Sequence, residues 1–179
     1  MRLLMSNSGG VGYGMAPCMA TPEASVGNIG SELRFNYTMM GAAVNLAQRM
    51  EAAASHYGCG ILVSSATAAA ALRDEPNLVF REVDRVNFAG LASSVAVFEL
   101  LGSGVEARAR HQSVSEEYAA ALALYRESRW SEAAAAFARA AAHEGASSAK
   151  NPCSVMAARC RRFAAEGREH CADFVLGKG

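Results

Sequence analysis

The sequence predicts an α+β protein, a sheet domain with helices packed on one face, followed by an all-helical segment. Three observations carry this reading. Strand-like and helix-like runs alternate between residues 22 and 101. The Gly- and Ser-containing stretch "GSGVEARARHQ", residues 102–112, breaks the pattern and reads as a linker. Beyond it an alanine-rich pattern with helical spacing takes over. The chain therefore divides into a flexible N-terminal segment (1–20), a sheet domain (21–101), the linker (102–112), a helical segment (113–170) and a tail (171–179).

Residues 1–20 are rich in Gly and Met and show no periodicity. "GGVGYG" lacks the spacing of a phosphate-binding glycine loop and follows no strand, so it reads as flexible chain. "EASVGN" and "FNYTMM" read as strands, and "AAVNLAQRMEAAASHY" as a helix that starts directly after Gly41. On that helix Val44, Leu46 or Ala47, and Met50 are expected to be more buried than Gln48. "GILVS" reads as a short buried strand, "SATAAAAL" as a short helix and "RDEPN" as a turn. "NLVFREVDRVNF" and "SVAVFELL" complete the β-rich part. Ser115 can cap a helix with Tyr118, Leu122 and Tyr125 on one stripe. A second helix aligns Ala133, Phe137 and Ala140, and a third begins near Pro152. The final "GKG" reads as loose.

Composition excludes several classes. With 17 basic and 17 acidic residues the net charge is zero and no basic stripe stands out, which argues against nucleic acid as a partner. No apolar run approaches the roughly 20 residues of a membrane helix, and the start is too short in apolar residues for a signal peptide. The five cysteines, an odd number without a CxxC pair, read as reduced thiols in the cytoplasm and not as a zinc site.

The stretch "VGNIGSELRFNYTMMGAAVNLAQRME" resembles the second half of a class III adenylate/guanylate cyclase catalytic domain. The likeness continues through "YGCGILVSSAT" and "FREVDRVNFAGLASSVAVFEL", and so covers about residues 20–101. It implies a partial ferredoxin-like cyclase domain whose product is cyclic AMP. It also implies roles for three residues: Thr38 reads the purine, Asn45 orients the ribose, and Arg49 holds the α-phosphate in the transition state. The chemistry agrees. Attack of the ribose 3′-oxygen on the α-phosphate builds negative charge, so catalysis rests on positioning and charge stabilisation. A helix N-terminus just past Gly41 directs N–H groups toward an anion. Asn45 and Arg49, at i and i+4, share one face of that helix. Outside this motif they would read as a polar helix residue and an arginine that snorkels to solvent. Thr38 would then be an ordinary strand residue.

The resemblance also implies Mg²⁺ or Mn²⁺, two metal-binding aspartates and a base-reading lysine, all upstream of the matched stretch. Here the only aspartates are Asp74, Asp84 and Asp173, and no lysine precedes Lys150. Asp84 falls at a non-metal position of the resembled family. Pro22 stands where relatives usually carry Gly. The expectation is an adenylate cyclase present as its C-terminal part, inactive alone and without metal ligands of its own. ATP and a metal-competent cyclase subunit or homodimer partner would complete it. The alternative is a non-catalytic cyclase-homology interaction module. "YAAALALYRESRWSEAAAAFARAA" resembles one tetratricopeptide-like helix pair and reads equally as a plain helical hairpin; one such unit cannot bury its own face, so it is expected to pack on the sheet domain or on a partner.

Overall fold

In the computed structural model, residues 4–5, 18–20, 25–31, 34–40, 42–88, 93–144, 150–170 and 174–176 are described, with side chains from residue 46 to 170 of these ranges. Strands β1 (Leu4–Met5), β2 (Cys18–Ala20), β3 (Ser25–Ser31) and β4 (Arg34–Met40) lead into helix α1 (Ala42–Tyr57). Then come β5 (Leu62–Ser64), α2 (Ser65–Asp74), β6 (Leu78–Phe88) and β7 (Val95–Ser103). Helices α3 (Gly104–Arg126), α4 (Trp130–His143) and α5 (Pro152–Ala165) precede a last strand, β8 (Phe174–Leu176). Six strands form one mixed sheet in the order β1-β2-β5-β7-β6-β8, while β3 and β4 pair as a separate antiparallel hairpin.

Helix α1 forms where the sequence places it. Leu46, Ala47, Met50, Ala53, Ala54 and Tyr57 recur at three- and four-residue steps, and all are buried. Gln48 is exposed, as expected, and Val44 lies outside the residues with described side chains. The helix ends at Gly58, whose φ of 72° is the left-handed conformation a helix stop favours. Gly58 N and Cys59 N both donate to the Ala54 carbonyl.

One core joins α1 to β6, β7 and all three C-terminal helices, with Met50, Tyr57, Val83, Val86, Val97, Tyr118, Phe137 and Phe163 in a single cluster. Helix α2 contributes no residue to it. Its N-terminus is capped by Ser64, which accepts from Thr67 N. The stripes expected on α3 and α4 are buried as read. Pro152 opens α5, behind a capping box made by Asn151 and Ser154.

Four readings need correction. The linker at 102–112 is mostly helix, because α3 begins at Gly104 and its Glu, Ala, Arg and Gln residues are good helix formers. Gly102 and Gly104, at φ 153° and 85°, make the turn out of β7 that the Gly-Ser signal announced. Ser115 therefore sits inside α3 and caps nothing. The segment read as flexible, 1–20, supplies β1 and β2, which extend the sheet beyond β5 with β2 parallel to it. The tail contains β8, which adds to β6 as a parallel edge strand. The misreadings of segment and tail both concern two- or three-residue apolar runs, which only pairing with a preformed edge turns into strands.

Strand β6 departs from simple alternation. Its register against β7 shifts between Glu82 and Asp84. Before the shift Arg81 is buried, at it Val83, and after it Asp84, Val86 and Phe88. A β-bulge changes the phase of alternation, so one strand turns two opposite charges, Arg81 and Asp84, toward the interior.

Candidate nucleotide-binding face and a buried ionic interlock

The three residues singled out in the sequence fall on one hairpin and the helix it feeds. Thr38 lies on β4, in register with Gly27 of β3. Two residues after Met40 leaves the strand, α1 has begun. Asn45 and Arg49 are one turn apart on α1, and the side chains of Thr38 and Asn45 lie outside the described residues. Arg49 is half-buried. It flanks the apolar arc of Leu46, Ala47 and Met50, and no described residue makes an ion pair or hydrogen bond with its guanidinium. A solvated arginine on a helix flank keeps its charge available to an anion.

At the C-terminal end of α1 the buried charges are paired. The Tyr57 hydroxyl donates to Asp84 Oδ2 at 2.5 Å. Arg159 Nη1 donates to the same oxygen at 2.5 Å, and Arg159 Nη2 to the Tyr57 hydroxyl at 3.0 Å. The backbone N–H of Arg85 occupies Asp84 Oδ1 at 2.7 Å. The side chains of Asp84 and Arg159 are each 4% exposed. Burial and then the Asp84 charge hold the Tyr57 hydroxyl protonated, far above the usual tyrosine range. Burial opposes the charge of Arg159, and Tyr57 and Asp84 more than offset it.

A second buried cation lies further back on the same strand. Arg81 Nη2 donates to Glu99 Oε2 at 2.6 Å across the β6–β7 pair, and Nη1 reaches Glu144 at the end of α4. Its guanidinium stands over the Tyr118 ring, 4.9 Å from the centroid. Tyr118 in turn donates to the Val83 carbonyl at 2.8 Å. The Cys153 thiol packs 3.8 Å from Arg81 Nη1, and burial, with Glu144 beside it, pushes that thiol up to about 12. Such a thiol is inert. Cys59, Cys153 and Cys160 are buried and form no disulfide. These pairs were missed in the sequence. Their signal was present: charged residues inside the apolar strand "VFREVDRVNF", and one more inside the apolar stripe of "MAARCRRFAA".

The described residues do not fit the metal that the resemblance implies. Both carboxylate oxygens of Asp84 are taken by Tyr57, Arg159 and Arg85, and Asp74 is exposed at the end of α2. Among the described residues no group of three His, Cys, Asp or Glu side chains converges to hold an ion. No described helix is long and apolar enough to cross a membrane.

Comparison with known proteins points to the catalytic domain of class III adenylate/guanylate cyclases, over part of the chain. The chain is 32% identical over 82 residues to Adenylate cyclase 1 of Rhizobium meliloti (strain 1021), spanning 46% of this chain and 12% of that protein. It is 30% identical over 118 residues to the terminal-differentiation-specific adenylate cyclase of Dictyostelium discoideum, 65% of this chain and 6% of that protein. The chain thus spans a small fraction of the curated relatives it matches. Among solved structures, the adenylyl cyclase CyaB from P. aeruginosa aligns with a TM-score of 0.41 at 30% identity, covering 48% of this chain and 41% of that one. The guanylyl cyclase Cya2 aligns with a TM-score of 0.37 at 33% identity, with the same coverage. No family model matches the chain.

Proposed function

We propose that the chain carries the nucleotide-positioning part of an adenylate cyclase site, converting ATP to 3′,5′-cyclic AMP and diphosphate when a metal-competent subunit faces it. Thr38 contacts the adenine edge, Asn45 orients the ribose, and Arg49 stabilises the charge that grows on the α-phosphate as the 3′-oxygen attacks and diphosphate leaves. The observation that carries this reading is the state of Arg49. It stands midway along a helix that follows a β-hairpin at once, one turn beyond Asn45, half-exposed and unpaired among the described residues. The two buried arginines of the described structure, Arg81 and Arg159, both have an anionic partner.

A second reading, a non-catalytic cyclase-homology module, rests on the sequence, in which no aspartate precedes Asp74 and no lysine precedes Lys150. The two readings share the proposal that α3 and α4 are one tetratricopeptide-like helix pair closed onto the sheet domain, supported by the buried Trp130, Ala133, Phe137 and Ala140 of α4. Purified chain mixed with ATP and Mg²⁺ or Mn²⁺ separates them. The proposal expects no cyclic AMP from the chain alone. It expects turnover when a class III subunit is added that retains its metal ligands but lacks its own Asn and Arg. No rescue by any such subunit would leave the module reading in its place.

A further inference from the structure

A cleft of about 370 Å³ opens where the end of α1 meets α5. Its walls are His56 from α1, Lys150 from the segment before α5, and Val155, Ala158, Arg159 and Arg162 from α5. The four α5 residues sit at steps of three and four, so they form one stripe along a single helix face. The two walls are tightly joined: a Cβ on Gly58 would come within 2.4 Å of the Lys150 carbonyl oxygen.

Its charge is one-sided. Among the described residues three cations and an imidazole line it, and none of those described is acidic. Asp84 lies behind Arg159, and Glu166 meets Arg162 only at 3.6 Å on the solvent side, where such a pair is worth little. His56 registers the resulting field. Its imidazole is held below its ordinary range by burial first and then by Arg159 and Lys150, against an opposing effect of Asp84 that exceeds the further lowering by Arg162. Val155 and Ala158 add an apolar strip beside these charges. Pockets of this size, with an apolar wall and a few convergent polar groups, suit small molecules.

We propose that this cleft binds a small organic phosphate, its phosphate held by Lys150 and Arg162 over the buried Arg159 and its carbon body lying on Val155 and Ala158. Two ionic charges on the ligand match the two exposed cations. Arg159 stays paired with Asp84 and contributes its positive field from below. The proposal does not rest on the cyclase reading, because Arg49 is not among the residues that line the cleft.

The test uses the whole chain and phenyl phosphate as probe, with inorganic phosphate as reference. The His56 imidazole resonance, assigned with His56→Gln, is followed by NMR. A saturable shift is expected, with the imidazole titrating at higher pH as the anion offsets the cations. Phenyl phosphate should bind more tightly than inorganic phosphate, since only it covers the apolar strip. The pair Lys150→Ala and Arg162→Ala, both at exposed positions, should weaken binding at least about tenfold through loss of charge-assisted hydrogen bonds. Arg49→Ala should leave it unchanged. A shift that never saturates, one that survives the double substitution, or phenyl phosphate binding no better than inorganic phosphate would overturn the proposal.

Discussion

The middle and the C-terminal end of α1 treat charge in opposite ways. Midway along the helix Arg49 is half-exposed, and no described carboxylate approaches it. At its end Tyr57 closes a buried triad with Asp84 and Arg159, each polar atom matched by another. One helix thus presents an unpaired charge midway along its length and joins a neutralised buried pair at its end. An unpaired cation can persist only where water solvates it, whereas a buried one must be paired and hydrogen-bonded. The first arrangement suits a ligand that comes and goes. The second suits a permanent joint, here between the sheet and the C-terminal helices.

The sharpest way to break this contrast is to orphan one charge of the joint. Asp84→Ala or Arg159→Met should each cost about 3–5 kcal/mol, because the surviving partner stays buried without a counter-charge. Changing both together should cost less than the sum of the two. Urea unfolding of the two single variants and the double variant measures that coupling directly. Additive losses would mean that the pair is not a pair.

Gly58 sharpens the same end of the helix. Its positive φ and its contact with the Lys150 backbone leave no place for a side chain, so Gly58→Ala should lose roughly 1–3 kcal/mol. Gly60, with nothing within 4 Å of an added Cβ and an ordinary φ, is the matched control and should change stability little. Thermal unfolding of the two variants side by side decides it.

A smaller effect follows from His56. Its folded-state affinity for a proton is depressed, so its contribution to stability is present above its unfolded value of 6.5. That contribution is lost as the pH falls from 6.5 through the lower folded value. Urea midpoints should decline over this acid range in the wild type and decline less in His56→Gln. Equal slopes would remove His56 from the account.

Much of this was legible in the sequence, and the part that was not shares one physical cause. Helix α1, its buried positions and the stripes of α3 and α4 follow from local periodicity, which the sequence displays directly. The Gly102–Gly104 turn was visible, but the helix beyond it was read as linker because a turn signal was extended over residues with good helical propensity. Strands β1, β2 and β8 are two or three residues long and exist through pairing with distant edges, which no local pattern encodes. The joint was hidden for a related reason. Asp84 and Arg159 are 75 residues apart, and the bulge at Glu82–Asp84 sends the aspartate inward at a place where plain alternation leaves the face of each charge undecided. For the candidate site the sequence offered residue types and spacing, and the structure adds the backbone of the hairpin and helix and the solvated state of Arg49.

The smallest expected change in stability is midway along α1. Arg49→Ala should alter unfolding by no more than about 0.5 kcal/mol, as a solvated side chain without described partners predicts. Its effect on chemistry should be the opposite, and this is the measurement that tests the account most directly. The chain and its Arg49→Ala variant are each mixed with a class III subunit that keeps its metal ligands but lacks its own Asn and Arg, and cyclic AMP is measured from ATP. The account predicts turnover with the wild-type chain and a loss of about 10²–10³-fold with the variant, the usual cost of removing one preorganised donor at a developing charge, with unfolding unchanged. Equal turnover from both chains would contradict it and leave Arg49 as a surface residue.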